Sequence, residues 1–281
     1  MAAILRTMTL TVAWERTTAT GAELVFASDS RLRSEGAWDA GPKIFRLPRS
    51  DALLAFAGET LWAYPMVLQT IATIDANDSS RGRYFSLTSA RSLAMRSMEA
   101  MMQSGEALAA RVNEIELEFL FGGWSWREGR FRLWRIYWAR GEGRMRHEPI
   151  EGSRIGKVRF IGTRDRDRSD HSLEVVGHAK SRLSEKLRSK YGVLPDRAEL
   201  DMEPWEILIE MLRAGTHPTI GGPPQLAKVY RYMDTRTFAV RWPDKDSGDL
   251  TLMGRRLLGN ESTDAPVIDP DEPRPSIYGI G

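Results

Sequence analysis

The sequence contains no cysteine, so neither a disulfide bond nor a thiolate nucleophile can hold this fold or perform its chemistry. It also lacks an apolar run close to the roughly 20 residues that a membrane-spanning helix needs. Residues 1–8 are too short for a secretory signal peptide. Together these absences predict an intracellular, cytoplasmic protein with no membrane partner.

Histidine and lysine are scarce. The four histidines do not have the spacing of metal ligands, so we expect neither a metal nor another cofactor. The net charge of +2 is close to balance and indicates no polyanionic partner such as nucleic acid. Lys43 is the only lysine before Lys157. Because the pKa of a lysine can be tuned whereas arginine keeps its proton, Lys43 is a candidate for a site that needs a tunable amine.

The clearest pattern lies near the start of the chain. A β-rich run from Thr9 to Trp14 and an apolar run from Leu24 to Ser30 are separated by turn residues, which predicts a β-hairpin. The first strand of a hairpin begins where the second ends, so we expect Thr9 to lie close to Asp29. A third short strand that begins at Lys43 would place its amine beside both.

These three residue types are what an N-terminal nucleophile requires. A threonine hydroxyl is a weak nucleophile unless a base accepts its proton. If Thr9 becomes the first residue, its own α-amine, with an ordinary pKa of about 7.7–8.0, can serve as that base. Lys43 would lower the local proton affinity, and Asp29 would orient and balance Lys43. The glycine that follows the next strand, Gly58, offers a backbone N–H for a developing oxyanion.

The same residues resemble the proteasome β-subunit and HslV peptidase family of N-terminal-nucleophile (Ntn) hydrolases. Mature chains of that family open with a threonine on a T-x-x-V-A strand, matched here from Thr9. An aspartate ends their second strand and a lysine opens a K-x-x-x-L strand, matched by Asp29 and Lys43. Their A-G element, which leads into a helix, is matched at Gly58. The resemblance is good from Thr9 to Ile74 and looser from Phe119 to Gly162.

The resemblance implies an α+β fold, the four-layer αββα Ntn-hydrolase sandwich. We expect this domain to occupy residues 9–258. Residues 1–8 would be a propeptide, or would precede the true start of the chain. Residues 259–281, rich in proline, aspartate and glycine, are expected to be a disordered tail.

The pattern of apolar residues predicts further elements. Helices are expected over 61–74, from Ser86 towards Val112, over 172–191 and over 204–214. Strands are expected over 44–47, 52–57, 116–121, 131–139, 158–161, 226–232 and 237–242, and a polar loop over 75–83. The aromatic residues between 124 and 138 are expected to pack in the core or an interface rather than stack on bases, because the basic residues there do not form a groove.

The implied activity is that of a threonine-type peptidase that cleaves peptide bonds through Thr9. The resemblance also implies a homo-oligomer, with a ring as one arrangement, that acts on peptides or unfolded proteins and that an ATP-dependent unfoldase could supply. Two alternatives stay open. One is an Ntn amidohydrolase that acts on a small amide or ester. The other is a catalytically silent structural subunit with the same fold.

Two positions depart from the family pattern. A G-S-G element of the family reads Gly162-Thr163-Arg164 here, so Thr163 either replaces the family serine or is an ordinary loop hydroxyl. A later D-x-x-S-G-G element keeps its double glycine, but His217 and Ile220 replace the aspartate and the serine. This second departure weakens the match to conventional peptide hydrolysis.

Overall fold

A computed structural model of the chain describes residues 9–19, 21–33, 36–104, 116–139, 141–151, 158–162, 171–192 and 199–273, with the backbone alone for 158–162 and 171–175. These residues form a mixed α/β fold. Its two main sheets are antiparallel except for one short parallel pair.

The elements follow one another in blocks of strands and helices. The first block contains β1 (Leu10–Thr18), β2 (Gly21–Ser28), β3 (Leu32–Arg33), β4 (Ala37–Trp38), β5 (Ile44–Arg46) and β6 (Ala52–Gly58). The next helices are α1 (Thr60–Asp75), α2 (Asp78–Arg81) and α3 (Leu87–Gln103). They are followed by β7 (Leu117–Ser125), β8 (Arg130–Ala139), β9 (Arg144–Pro149) and β10 (Val158–Gly162). The last helices are α4 (His171–Tyr191) and α5 (Glu203–Ala214). The final strands are β11 (Gln225–Tyr230), β12 (Asp234–Trp242), β13 (Asp249–Leu252), β14 (Arg255–Arg256) and β15 (Val267–Ile268).

The strands pair into two sheets and a small hairpin. Among the described residues the first sheet has the order β10-β1-β2-β11-β12-β13-β14, and β15 pairs with β12. The second sheet has the order β5-β6-β7-β8-β9, and β3 pairs with β4. The predicted hairpin of β1 and β2 is present, with Thr11 opposite Ser28. Since β5 and β6 belong to the other sheet, Lys43 enters from a different sheet than Thr9 and Asp29.

Three apolar clusters fill the interior. One joins α1 and α3 to the second sheet, one joins α4 and α5 to the first sheet, and the third joins residues of the two sheets. Strand β6 illustrates the arrangement, because Leu54 and Phe56 belong to the first cluster whereas Leu53 and Ala55 belong to the third. Successive strand residues point to opposite faces. A strand buried on both faces therefore requires an unbroken apolar run, and all of β6 is buried.

The helix expected from Ser86 begins there, since the Ser86 hydroxyl caps α3 by accepting the Ser89 N–H. The polar loop expected over 75–83 instead contains α2, which the Asn77 side chain caps. Strand β7 continues through Gly122 and Gly123, where the sequence suggested that it would end. A Cβ at Gly123 would lie 2.2 Å from the Asp51 carbonyl oxygen, so the glycine permits close strand contact.

The disordered tail expected from residue 259 is a wrong prediction for residues 259–273. Strand β15 lies parallel to β12, with Ile268 opposite Val240. The Trp205 indole N–H of α5 donates to the Pro270 carbonyl at 3.2 Å. Ile268 is buried in the cluster under α5, so burial and hydrogen bonding order a stretch whose composition is typical of disorder. Residues 274–281 lie outside the described part of the chain, as do residues 1–8.

Candidate functional site

Thr9 directly precedes β1 and is 4% exposed. The β1–β2 hairpin extends one residue beyond its ladder, because the Asp29 N–H donates to the Leu10 carbonyl at 3.3 Å. The Leu10 N–H donates in return to Asp29 Oδ1 at 3.1 Å. The carboxylate therefore lies against the peptide that joins Thr9 to Leu10, as the hairpin predicts.

Lys43 meets Asp29 in a buried ion pair. Its Nζ donates to Asp29 Oδ1 at 2.8 Å, and both side chains are fully buried. Because the same oxygen accepts the Leu10 N–H, the ammonium lies beside the Thr9–Leu10 peptide. The structure thus brings Thr9, Asp29 and Lys43 together from three segments of the chain.

The second carboxylate oxygen of Asp29 is also fully engaged. It accepts the Gly221 N–H at 3.1 Å and the Arg31 N–H at 3.2 Å. With four donors on two oxygens, Asp29 is held in one orientation. Gly221 belongs to the double glycine noted in the sequence, so that element contributes a backbone donor to Asp29.

Burial changes the pKa of Lys43. Loss of water around the ammonium lowers the pKa of Lys43 from its ordinary value, and the Asp29 carboxylate opposes that change only in part. An amine with a lowered pKa can exchange a proton more readily than an exposed lysine. A lowered pKa is the property expected of a lone lysine at a site that needs a tunable amine.

Gln225, at the start of β11, links the two sheets behind the ion pair and is fully buried. Its Oε1 accepts the Lys43 backbone N–H at 2.9 Å. Its Nε2 donates to the carbonyls of Gly41 at 2.7 Å and of Asp29 at 3.2 Å. Sequence reasoning missed Gln225. The only available signal was a glutamine directly before the strand expected over 226–232.

Arg31 forms hydrogen bonds to the loop that carries Gly221. Its guanidinium forms two 2.7 Å bonds to the Asp39 carboxylate and donates to the Pro218 carbonyl at 3.2 Å. The hydrogen bond from Arg31 lowers the pKa of Asp39. Next to Pro218, Thr219 Oγ1 is buried with no hydrogen-bond partner among the described residues. Neither Arg31 nor Thr219 was a candidate from the sequence.

Two hydroxyls connect the strands close to Thr9. The Thr11 hydroxyl donates to the Phe56 carbonyl of the second sheet at 3.2 Å. The Ser28 hydroxyl donates to the Leu10 carbonyl at 3.0 Å and lies 2.8 Å from the Thr11 hydroxyl. These contacts fix the start of β1 relative to β6.

Gly58 ends β6, two residues beyond Phe56, whose N–H donates to the Lys43 carbonyl at 3.2 Å. Gly58 has a φ of +119°, a conformation that favours glycine. A Cβ at this position would lie 2.1 Å from the Glu116 carbonyl oxygen. The backbone here accepts only glycine, and the oxyanion role of its N–H stays a prediction.

The remaining predicted positions have different outcomes. Thr163 lies outside the described residues. Ile220, which replaces the family serine, is 4% exposed and packs in the cluster under α4 and α5. The His217 carbonyl accepts the Ile220 N–H at 3.3 Å. Ile220 therefore serves the core and provides no polar side chain for the site.

Two features of the described residues bear on partners. No helix in the described ranges is both long and apolar enough to cross a membrane. Within the same ranges, histidine, aspartate and glutamate side chains do not assemble into a group that could hold a metal ion.

Comparison with solved structures finds proteins of similar fold. The Anbu complex from Pseudomonas aeruginosa, described as a helical assembly, is 17% identical over 86% of each chain, with a TM-score of 0.52. Anbu (ancestral beta-subunit) from Yersinia bercovieri is 16% identical over 81% of this chain and 86% of that chain, with a TM-score of 0.49. No family model and no curated protein sequence matches the chain. At this identity the likeness to the Pseudomonas protein shows the fold alone.

These findings correct the family inferred from the sequence. The motifs around Thr9, Asp29 and Lys43 suggested a proteasome β-subunit or an HslV peptidase. The similar fold is instead that of the Pseudomonas Anbu complex, and neither a family model nor a curated sequence supports a proteasome β-subunit or an HslV peptidase. The short motifs cover only the start of the chain well, whereas the structural comparison covers 86% of it.

Proposed function

We propose that this chain is a proteasome-like subunit with an Ntn-hydrolase fold, and that it is a threonine-type hydrolase that cleaves peptide bonds through Thr9. The three apolar clusters support a four-layer order of helices, sheet, sheet and helices. The observation that carries the activity is the fully buried Lys43–Asp29 pair, which shares one carboxylate oxygen with the Leu10 N–H.

In the proposed reaction, removal of residues 1–8 frees the α-amine of Thr9. That amine accepts the proton of the Thr9 hydroxyl while Oγ attacks the carbonyl carbon of the scissile amide. The proton then passes to the leaving amine as the C–N bond breaks, which leaves an ester on Thr9. Water attacks this ester, releases the acid and restores the hydroxyl. The Gly58 N–H stabilises the oxyanion in both steps.

Lys43 has an electrostatic role in this scheme. A buried ammonium beside the Thr9 amine disfavours a second positive charge, so the amine stays neutral and able to accept a proton. Asp29 orients that ammonium and balances its charge, and Gln225 fixes the Lys43 backbone. Gln225 is therefore a positioning residue.

We further propose a homo-oligomer that acts on peptides or unfolded proteins in the cytoplasm, with an ATP-dependent unfoldase as a further partner and no nucleic acid. The helical assembly described for the Pseudomonas Anbu complex supports self-association. A specific observation favours a second candidate function. Because Ile220 is buried and apolar where Ntn peptidases of the proteasome type have a serine, a catalytically silent structural subunit would also fit.

Matched lysine substitutions separate the two functions. Lys43→Arg keeps the positive charge but puts a larger, planar head group into a fully buried position beside Asp29, which moves the charge relative to the Thr9 amine, so we expect the peptidase rate to fall at least ~10²-fold. Lys228→Arg is the control, because Lys228 is also buried and pairs with Glu23 at 2.9 Å. Lys228 lies in β11 of the first sheet and does not contact Asp29. We expect that control to keep a rate within about threefold of wild type.

The substrates are a fluorogenic peptide, an unfolded protein and a small aryl amide. A wild-type protein that cleaves none of the three supports the silent subunit. Cleavage of the small amide alone supports an amidohydrolase. If Lys43→Arg and Lys228→Arg cleave peptides equally well, Lys43 is structural and the proposed roles are wrong.

A further inference from the structure

A second surface lies at the end of the sheets opposite Thr9. Strand β11 begins with Gln225 at the site and runs away from it, so the turn at 231–233 lies at its far end. Strand β7 pairs with Gly58 at its first residue and ends at Ser125, so the turn that follows β7 also lies at the far end. A surface built on these turns is separate from the candidate site.

Three turns meet on this surface. The Trp126 and Tyr232 rings lie 5.9 Å apart, and the Arg83 guanidinium lies 5.8 Å from the Trp126 ring and 5.4 Å from the Tyr84 ring. Tyr84 is 84% exposed and Tyr232 is 74% exposed. We name this surface the basic pole and define it by Arg83, Tyr84, Trp126, Arg127, Arg231 and Tyr232.

The basic pole carries positive charge without a counterion. Arg83, Arg127 and Arg231 are all exposed, and none of them forms an ion pair with a described residue. Arg231 instead lies 5.1 Å from the Trp124 ring. Tryptophan, tyrosine and arginine are the residues enriched at the energetic centres of protein interfaces. The composition therefore suits a protein partner that carries carboxylates.

The turn at the centre of the pole has an unfavourable backbone for its residues. Tyr232 has φ +68° and Met233 has φ +59°. Left-handed positions in hairpin turns favour asparagine and glycine, whereas bulky side chains are strained there. A strained tyrosine that is nevertheless exposed indicates that its side chain has a use outside the fold.

The chain also presents an acidic surface. Between residues 257 and 273 there is no lysine or arginine, whereas five carboxylates occur. Leu258 is 65% exposed and Val267 is 46% exposed in this stretch. Asp264 and Glu272 are exposed and form no ion pair with another residue of the described ranges. We name residues 258–272 the acidic segment.

We propose that the basic pole of one copy of this chain binds the acidic segment of a second copy. The two surfaces complement each other in charge, and each presents two large exposed apolar or aromatic side chains. Since the two surfaces differ, the contact is head-to-tail and can build a ring or a helical array. The contact rests on the homo-oligomer proposed above and is independent of hydrolysis at Thr9.

Charge reversal tests the contact. The pole variant carries Arg83→Glu with Arg231→Glu, and the segment variant carries Asp264→Lys with Glu272→Lys. We expect each variant alone to be monomeric by light scattering. Each variant retains one intact surface, and the two reversed surfaces are again opposite in charge, so an equimolar mixture should assemble to at least twice the 31.8 kDa chain mass. All four positions are exposed, so both variants should keep the wild-type unfolding midpoint.

The outcomes separate the two proposals. A monomeric wild-type protein overturns both the oligomer and this contact. An oligomeric wild type whose variants keep the wild-type mass overturns the contact alone, as does a mixture that remains monomeric.

A third variant separates binding from folding. Tyr232→Asn with Met233→Gly relieves the strained turn, so we expect a higher unfolding midpoint than wild type. The same variant removes an exposed aromatic ring, so we expect the dissociation constant between copies to rise at least about tenfold. A variant that associates as tightly as wild type shows that Tyr232 has no part in the contact and overturns the proposed pole.

Discussion

Replacing Asp29 with asparagine would test whether one buried carboxylate holds the candidate site together. One Asp29 oxygen accepts the Leu10 N–H and the Lys43 ammonium, and the other accepts the Arg31 and Gly221 N–H groups. Asparagine has a single oxygen, so in either orientation its amide group faces two donors. The variant therefore leaves two donors without an acceptor and the Lys43 ammonium without a countercharge.

The cost follows from these contacts. Each buried donor left without a partner costs about 1–3 kcal/mol. Breaking a buried ion pair by removing one partner costs about 3–5 kcal/mol. These two costs partly count the same lost contacts, so they are not added. We expect Asp29→Asn to lower the free energy of unfolding by about 3–5 kcal/mol. Adding Lys43→Met should recover at least ~1 kcal/mol, because it removes the uncompensated charge.

Urea unfolding at neutral pH measures both effects. Asp78→Asn is the matched control, because Asp78 also forms an ion pair, with Arg81, but its side chain is 91% exposed. We expect that control to change the free energy of unfolding by less than about 0.5 kcal/mol. A loss below about 1 kcal/mol for Asp29→Asn would refute the inference that this carboxylate is a structural centre of the site.

Two further predictions concern the backbone and the pH dependence. Gly58→Ala places a Cβ against the Glu116 carbonyl at φ +119°, so peptidase rates should fall at least ~10²-fold. Gly129→Ala, at φ +62° with open space around it, should leave the rates unchanged, and equal rates in both variants would contradict the role of Gly58. Burial lowers the pKa of Lys43, so the unfolded chain keeps that proton to higher pH than the folded chain. The stability of wild type relative to Lys43→Met should therefore rise as the pH increases towards 10.5, the ordinary pKa of lysine. Urea unfolding at a series of alkaline pH values can measure this difference, and a falling difference would oppose the prediction.

The part of the site that comes from neighbouring segments of the chain could be predicted from the sequence. Thr9 and Asp29 belong to one hairpin whose turn chemistry and apolar runs are evident in the sequence, and Lys43 follows shortly after. Gln225 and Gly221 were not predictable in the same way. Their contacts with Asp29 depend on the pairing of β11 with β2, which brings together residues almost 200 positions apart.

Elements with little apolar patterning were also missed. Strand β9 has Met145 as its one buried residue, so its sequence lacks the alternation that predicts a strand. Strand β15 forms because Ile268 has a buried place beside β12, which composition alone does not reveal. The choice of family failed for a related reason. Motifs near the start of the chain constrain the site, but the fold comparison covers 86% of the chain.

The central claim is that Thr9 is the nucleophile and that its free amine is the base. Mass analysis of the amino terminus of an active preparation tests it directly, with Thr9→Ala as the inactive control. We expect the active chains to begin at Thr9, and Thr9→Ala to fold with the wild-type unfolding midpoint and without turnover. Peptidase activity from a preparation in which every chain retains Met8 would contradict the mechanism.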